Sequence, residues 1–134
     1  MLKKFLEEEN YKFEDLGPYE YDSEDDYVDY AIKVCERVLK EGGLGILICG
    51  TGQGMDRIAN KIPGIYAEVC WDIKTALHAK EHSDANVLCL GEQTIEPRLA
   101  GKMIKIWLES SVKKEEKYIR RINKTKEIER KYMK

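Results

Sequence analysis

No stretch of this 134-residue chain is long and apolar enough to span a bilayer, and its opening residues lack the apolar core of a secretory signal. A strong charge of one sign is missing too. The 23 Lys and Arg stand against 25 Asp and Glu, a net −2, which argues against a nucleic-acid partner held by bulk electrostatics. The four cysteines, Cys35, Cys49, Cys70 and Cys89, are scattered and form no Cys-x-x-Cys pair. Without an export signal they read as reduced thiols of a cytoplasmic protein. There are no internal repeats and no low-complexity linker, and the length suits one domain, residues 1–134, with a proper core.

What is present is an alternation of two periods. Apolar spacing predicts helices over 2–9, 27–40, 53–61, 72–82 and 97–108, and a further helix from 113 onward. Asp72 is the expected N-cap of the fourth, and Gly42-Gly43 the stop of the second. Strands are expected at 11–16, 45–49, 65–70 and 86–90, with an acidic loop over 19–26. Strands separated by helices of this length indicate an α/β domain with a mainly parallel sheet. The unbroken apolar run at 45–49 fits a strand covered on both faces. In such sheets ligands sit at the carboxyl ends of strands, and Cys49, Cys70 and the turn after Leu90 lie near such ends.

Residues 45–55, Gly-Ile-Leu-Ile-Cys-Gly-Thr-Gly-Gln-Gly-Met, carry the most chemistry. A strand runs into Gly50, Gly52 and Gly54, and Met55, Ile58, Ala59 and Ile62 follow at helical spacing. Backbone amides in such a loop can surround an anion, and the Cys49 thiol beside them is placed to act as base or nucleophile. No Gly-Lys-Ser/Thr ends the loop, so it is not a Walker sequence. Glycines at 50, 52 and 54 do not match Gly-x-Gly-x-x-Gly, and Met55 stands where a cysteine phosphatase has its Arg. These exclusions favour a small phosphorylated ligand over a nucleotide. The glycines themselves suggest no packing role, which leaves a binding role as their reading.

Cys35, Cys70 and Cys89 read as buried structural cysteines. His78 and His82 are spaced i, i+4 on one predicted helix, but no third ligand or Glu-x-x-His pattern accompanies them, so a metal site is not expected. His82, at a helix end, would serve as a proton donor or acceptor near neutral pH. The basic tail reads mainly as solvated charge with a weak stripe of Tyr118, Ile122, Thr125 and Tyr132, although Lys117 and Arg121 can point together at an anion. Trp71, Trp107, Met55 and Met103 are expected in core or interface packing.

Together these segments resemble the ribose-5-phosphate isomerase B and galactose-6-phosphate isomerase family. The stretches that carry the resemblance are Asp-Tyr-Val-Asp-Tyr-Ala at 26–31, the loop at 45–55, Ala-Asn-Lys-Ile-Pro-Gly-Ile at 59–65 and Glu-His-Ser-Asp-Ala-Asn-Val-Leu-Cys-Leu-Gly at 81–91. The resemblance implies a Rossmann-like three-layer α/β/α sandwich, a homodimer or dimer of dimers with sites at the subunit interface, and a sugar-phosphate substrate. It implies aldose–ketose isomerisation without metal or organic cofactor. Cys49 would be the proton-transfer base, Thr51 and the amides of Gly50, Gly52, Gln53 and Gly54 would hold the developing oxyanion, and His82 would assist ring opening. Ser83 stands where the family commonly has a substrate-binding Asn. Lys117 and Arg121 match two phosphate-binding arginines, the first altered to Lys, which keeps the charge and loses the fork.

Family members open with a strand and a Gly-x-Asp-His-x-Gly loop that this sequence does not include. The resemblance therefore leads us to expect an unpaired backbone edge beside the strand ending at Cys49, and weak or no turnover by the chain as given. The rival reading is a non-catalytic sugar-phosphate-binding relative. A cysteine-dependent redox or phosphate-transfer enzyme is disfavoured by the missing cysteine pair and by Met55.

Overall fold

The structure, a computed structural model, describes residues 2–17 and 26–133. Three strands, β1 (Gly45–Cys49), β2 (Ala67–Val69) and β3 (Val87–Gly91), form a parallel sheet in the order β1-β3-β2. Six helices accompany them among the described residues: α1 (Leu2–Glu8), α2 (Tyr27–Glu41), α3 (Gln53–Ala59), α4 (Ile73–Glu81), α5 (Pro97–Glu109) and α6 (Glu116–Tyr132). The last strand in sequence is thus the central one. Its residues Val-Leu-Cys-Leu-Gly are all buried because helices cover both of its faces.

Side chains of β3 alternate between two cores. Val87 and Cys89 pack with Ala31, Cys35 and Val38 of α2 and with Met55 and Ala59 of α3. Leu88 and Leu90 pack on the other face with Ala76 and Ala79 of α4, Met103, Ile104 and Trp107 of α5, and Leu6 of α1. The result is a Rossmann-like three-layer α/β/α sandwich. Lys80, only 7% exposed, closes the second core by laying its ammonium 4.6 Å from the Trp107 ring centroid.

Local signals end the helices as the sequence suggests. Gly42 takes φ +70° and donates its N–H to the Val38 carbonyl at 2.8 Å. Asp72 caps α4 by accepting from the Thr75 amide at 2.8 Å, and the Thr75 hydroxyl returns to the Asp72 amide in a capping box. Pro97 opens α5, where its missing N–H costs nothing.

Several expectations are corrected. Residues 11–16 do not form a strand: α1 ends through Asn10 at φ +62°, and the segment is held by side-chain contacts instead of a ladder. Tyr11 packs against the α4/α5 core and donates its hydroxyl to Glu109 at 2.7 Å. Its alternating pattern reports which side chains are buried and does not by itself make a backbone ladder. Of the acidic loop at 19–26, only Asp26 falls among the described residues. Of the residues expected in core or interface packing, Trp107, Met55 and Met103 are in the cores and Trp71, 59% exposed, is on the surface of the single chain. On α6, Tyr132 faces solvent, while Tyr118, Ile122 and Thr125 line one concave face. The sheet ends at β1, whose outer edge pairs with no strand among the described residues.

The helix α6 buries no residue fully. It is held at one end by the Lys113 amide, which donates to the Glu81 carbonyl at 2.9 Å, and at the other by Glu129. That carboxylate accepts from the Tyr66 hydroxyl and from the Gly64 amide, both at 2.9 Å. Burial and the Glu129 carboxylate push the Tyr66 phenol up to about 12. A folded value above the ordinary 10 means that this contribution is complete below pH 10 and is lost as pH rises toward 12. Tyr66→Phe should therefore cost about 1 kcal/mol and speed amide exchange in α6 while leaving β3 protected. Exchange rates by mass spectrometry, at pH 7 and with the alkaline series followed by circular dichroism, check this.

Candidate functional site

From β1 the chain passes to α3 on one face of the sheet, and from the adjacent β3 it passes to α5 on the other. Two parallel neighbours that diverge in this way open a crevice at their carboxyl ends. Cys49, half-buried, is the last residue of β1 and is registered with Gly91, the last of β3. Its sulfur accepts a hydrogen bond from the Gly52 amide at 3.1 Å. That amide is committed within the loop, so it is not among those free to face an anion.

The glycines have packing reasons that sequence reading missed. A Cβ on Gly91 would stand 2.6 Å from the Thr51 carbonyl carbon. Gly52 takes φ +82°, and a Cβ there would lie 2.9 Å from Val69 and 3.1 Å from the Leu90 backbone. At Gly54 the Tyr27 hydroxyl would be 2.8 Å away. The loop thus lies directly across the end of β3, and the Glu92 and Gln93 amides fix it by donating to the Cys49 and Gly50 carbonyls at 2.9 Å. Thr51 and Gln53 are exposed at its mouth, with the Thr51 hydroxyl 3.4 Å from the Gln53 side-chain oxygen. Tyr27 and Gln93 join this site without having been singled out. The sequence places the turn after Leu90 near a ligand-bearing strand end without pointing to Gln93 in particular, and the aromatic at the start of α2 carries no local signal of its contact with Gly54.

A second concave site lies at the opposite edge of the sheet. The end of α4, the start of β2 and the inner face of α6 enclose about 550 Å³, lined by His82, Ser83, Glu68, Tyr118 and Arg121 among others. His82 sits one residue past α4, and its ring stacks between His78 and Tyr118, each centroid 4.1 Å away. Its Nε2 is closed off from solvent and has no hydrogen-bond partner. Burial holds its pKa below the ordinary imidazole value, helped by His78 and Lys113 and opposed by Glu81. Glu68 faces the same space, bonded to Ser83, and burial raises its pKa. Lys117 does not line the cavity; its ammonium lies 5.0 Å over the Tyr118 ring and 4.0 Å from Glu115.

The predicted residues therefore divide into two groups. Cys49, Gly50, Thr51, Gly52, Gln53 and Gly54 share the carboxyl edge; His82, Ser83 and Arg121 share the amino edge with Lys117 nearby. The length of β3, at about 3.3 Å per residue, separates these edges by about 13 Å. Cys35, Cys70 and Cys89 are buried as expected, with burial raising Cys35 to about 11, Cys70 to about 12 and Cys89 further. Among the described residues, no three His, Cys, Asp or Glu are grouped to hold a metal, and no helix is long and apolar enough to cross a membrane.

Comparison with known proteins identifies the family. A profile described as Ribose/Galactose Isomerase matches residues 1–125. The chain belongs to this family. It is 42% identical over 111 residues, 82% of its length and 73% of the relative's, to a protein of Mycoplasma pneumoniae named "Probable ribose-5-phosphate isomerase B". It is similar at 38% identity and TM-score 0.89 to the solved ribose-5-phosphate isomerase B of Clostridium thermocellum, covering 98% of this chain and 88% of that one. The ribose-5-phosphate isomerase B of Mycoplasma genitalium, solved with bound ribulose-5-phosphate, is similar at 36% identity and TM-score 0.86, over 95% and 84% of the two chains. Glu129, which holds the end of α6, lies beyond the segment that the ribose/galactose isomerase profile matches.

In this member of the family, the Gly91–Thr51 approach should be the least forgiving contact of the carboxyl edge. Gly91→Ala must displace backbone rather than a flexible side chain, and should cost about 2 kcal/mol or more. Gly43→Ala, where a Cβ meets nothing within 4 Å, is the matched control and should change little. Thermal melts of the two variants test the difference.

Proposed function

We propose that this chain is a sugar-phosphate isomerase that interconverts ribose 5-phosphate and ribulose 5-phosphate through an enediol(ate). The observation that carries the reading is Cys49: a sulfur held by a loop amide at the switch-point crevice of a chain in the ribose/galactose isomerase family. The family likeness extends to a relative solved with ribulose-5-phosphate.

The reaction moves one proton between neighbouring carbons, which a positioned side chain can do. The Cys49 sulfur removes the proton from carbon 2 of the open aldose and returns it to carbon 1 of the enediol(ate), while the proton of the carbon-2 hydroxyl passes to the carbon-1 oxygen, so that the aldehyde becomes a hydroxyl and the hydroxyl a ketone. Charge develops on the adjacent oxygen as this happens. The Thr51 hydroxyl and the amides of Gly50, Gln53 and Gly54 meet that oxygen, and the Gly52 amide steadies the sulfur. His82 opens the sugar ring, the Ser83 hydroxyl binds substrate, and Lys117 and Arg121 take the phosphate.

These roles act on atoms a few ångströms apart, yet the two groups lie at opposite edges of one sheet. The working site therefore takes its Cys49 half from one copy and its His82 half from a second, so the functional unit is at least a homodimer. A two-fold arrangement makes two such sites per pair.

Cys49→Ala should lower ribose 5-phosphate turnover by about 10² or more while leaving sugar-phosphate binding largely intact. Coupled turnover and calorimetric titration, with inorganic phosphate as control, measure both. Binding without turnover in the unaltered chain would instead support a non-catalytic sugar-phosphate-binding protein. Shared sites make a second demand. Cys49→Ala and His82→Ala, each inactive alone, should regain about a quarter of native turnover when refolded together in equal amounts, because half of the pairs then hold one intact site. No recovery would mean that both halves serve the same copy.

A further inference from the structure

The stack around His82 has a function that the isomerase reading does not assign. A catalytic histidine ring is usually oriented by a hydrogen bond from its second nitrogen. Here Nε2 has no partner within the chain, and ring contacts hold the imidazole instead. His78 lies on one side, 4.1 Å away and inclined 24°; Tyr118 lies 4.1 Å away and within 6° of parallel. The Lys117 ammonium lies over the Tyr118 ring at 5.0 Å. The series Lys117, Tyr118, His82, His78 thus runs unbroken from α6 to α4.

The placement of Tyr118 gives this contact its consequence. No residue of α6 is fully buried, so the helix has no core anchor of its own. Glu129 and the Lys113 amide secure its two ends, and the Tyr118 ring seats the turn between Lys117 and Arg121. Moving Tyr118 would move the phosphate-facing cations and release one face of His82 together.

We propose that Tyr118, with His78 opposite it, is a positioning residue that clamps the His82 imidazole face-on and couples its setting to the anion-binding turn of α6. The proposal rests on the isomerase reading for its consequence in catalysis, and on the stack alone for its effect on the ring.

The charged and titratable groups facing the stack are His78 and Glu81 from α4, Lys113 ahead of α6, and Lys117 and Tyr118 from α6. Arg121, Glu68 and Asp84 line the same cavity. Burial is the largest cause of the lowered His82 pKa, with His78, Lys113 and Lys117 adding to it and Glu81 opposing. Uncovering one face should return the titration toward the ordinary range.

Tyr118→Phe and Tyr118→Leu test this in the full chain. Imidazole proton NMR reads the His82 titration directly, whether or not the protein turns over. Phe keeps the ring and should leave the His82 midpoint and the acid limb of kcat unchanged. Leu should raise both and lower kcat for ribose 5-phosphate about tenfold, the size of one lost aromatic contact. An unmoved midpoint in the Leu variant, or a loss in Phe equal to that in Leu, would overturn the clamp. If the Leu variant does not fold, His78→Leu removes the opposite face and is judged by the same midpoint. Absence of turnover in the native chain would remove the isomerase reading while the NMR result still decides the clamp.

Discussion

The approach of Gly91 to Thr51 is the constraint on which the carboxyl edge of the sheet depends. Cys49 and Gly91 are neighbours in register, and the chain must leave both at once toward opposite faces. The Gly50–Gly52 turn can cross the end of β3 only because position 91 has no Cβ to occupy the space of the Thr51 backbone. With the crossing made, Gly52 adopts its left-handed conformation beneath the loop and directs its amide at the Cys49 sulfur. The orientation of the sulfur is therefore a product of strand register and loop packing, with no other side chain needed to aim it.

The same strand topology keeps the two sets of candidate site groups apart. In a parallel sheet, a loop leaving a strand and a helix returning to the next one sit at opposite edges. Cys49 belongs to the first kind of segment and His82 to the second. Nothing in the sandwich can shorten that distance without breaking β3, the one strand buried on both faces. A chemistry that needs both groups must recruit a second copy, and the weakly buried α6 then becomes useful. A helix held by a few directed contacts can present a cation such as Arg121 to the cavity beside it without being absorbed into the core of its own chain.

Most of the strand–helix alternation was legible in the sequence, because each period answered to a burial pattern that the sandwich imposes. The run at 45–49, the Asp72 cap and the Gly42 stop all appear where apolar spacing and capping chemistry place them. The segment at 11–16 misled because alternation records which side chains are buried, not whether the backbone forms a ladder, and the outer edge of β1 stays unpaired among the described residues. At the site, the Cys49 loop stood out for its composition, yet its glycines were attributed to an anion alone. Their contacts with Val69, Leu90 and Tyr27 come from parts of the chain remote in sequence. Tyr118 looked like one position of a weak stripe, since a ring stacked on a histidine of another helix leaves no periodic trace.

Glu68 shows how the amino-edge cavity balances its charge. A carboxylate fixed in its ionised form would repel an anion drawn in by Arg121, which lines the same space. Burial opposes that ionised form and pushes Glu68 upward, with Asp56 adding to the shift, while the Ser83 hydrogen bond favours the charged state and limits it. An anion in the cavity would add a like charge and push Glu68 further toward its neutral acid. Proton uptake at Glu68 and anion binding at Arg121 are then linked with one sign: each favours the other, and the linkage weakens as pH rises above the range where Glu68 can hold its proton. The Ser83 hydroxyl that stabilises the carboxylate is also the one proposed to bind the sugar, and it cannot donate to both at once.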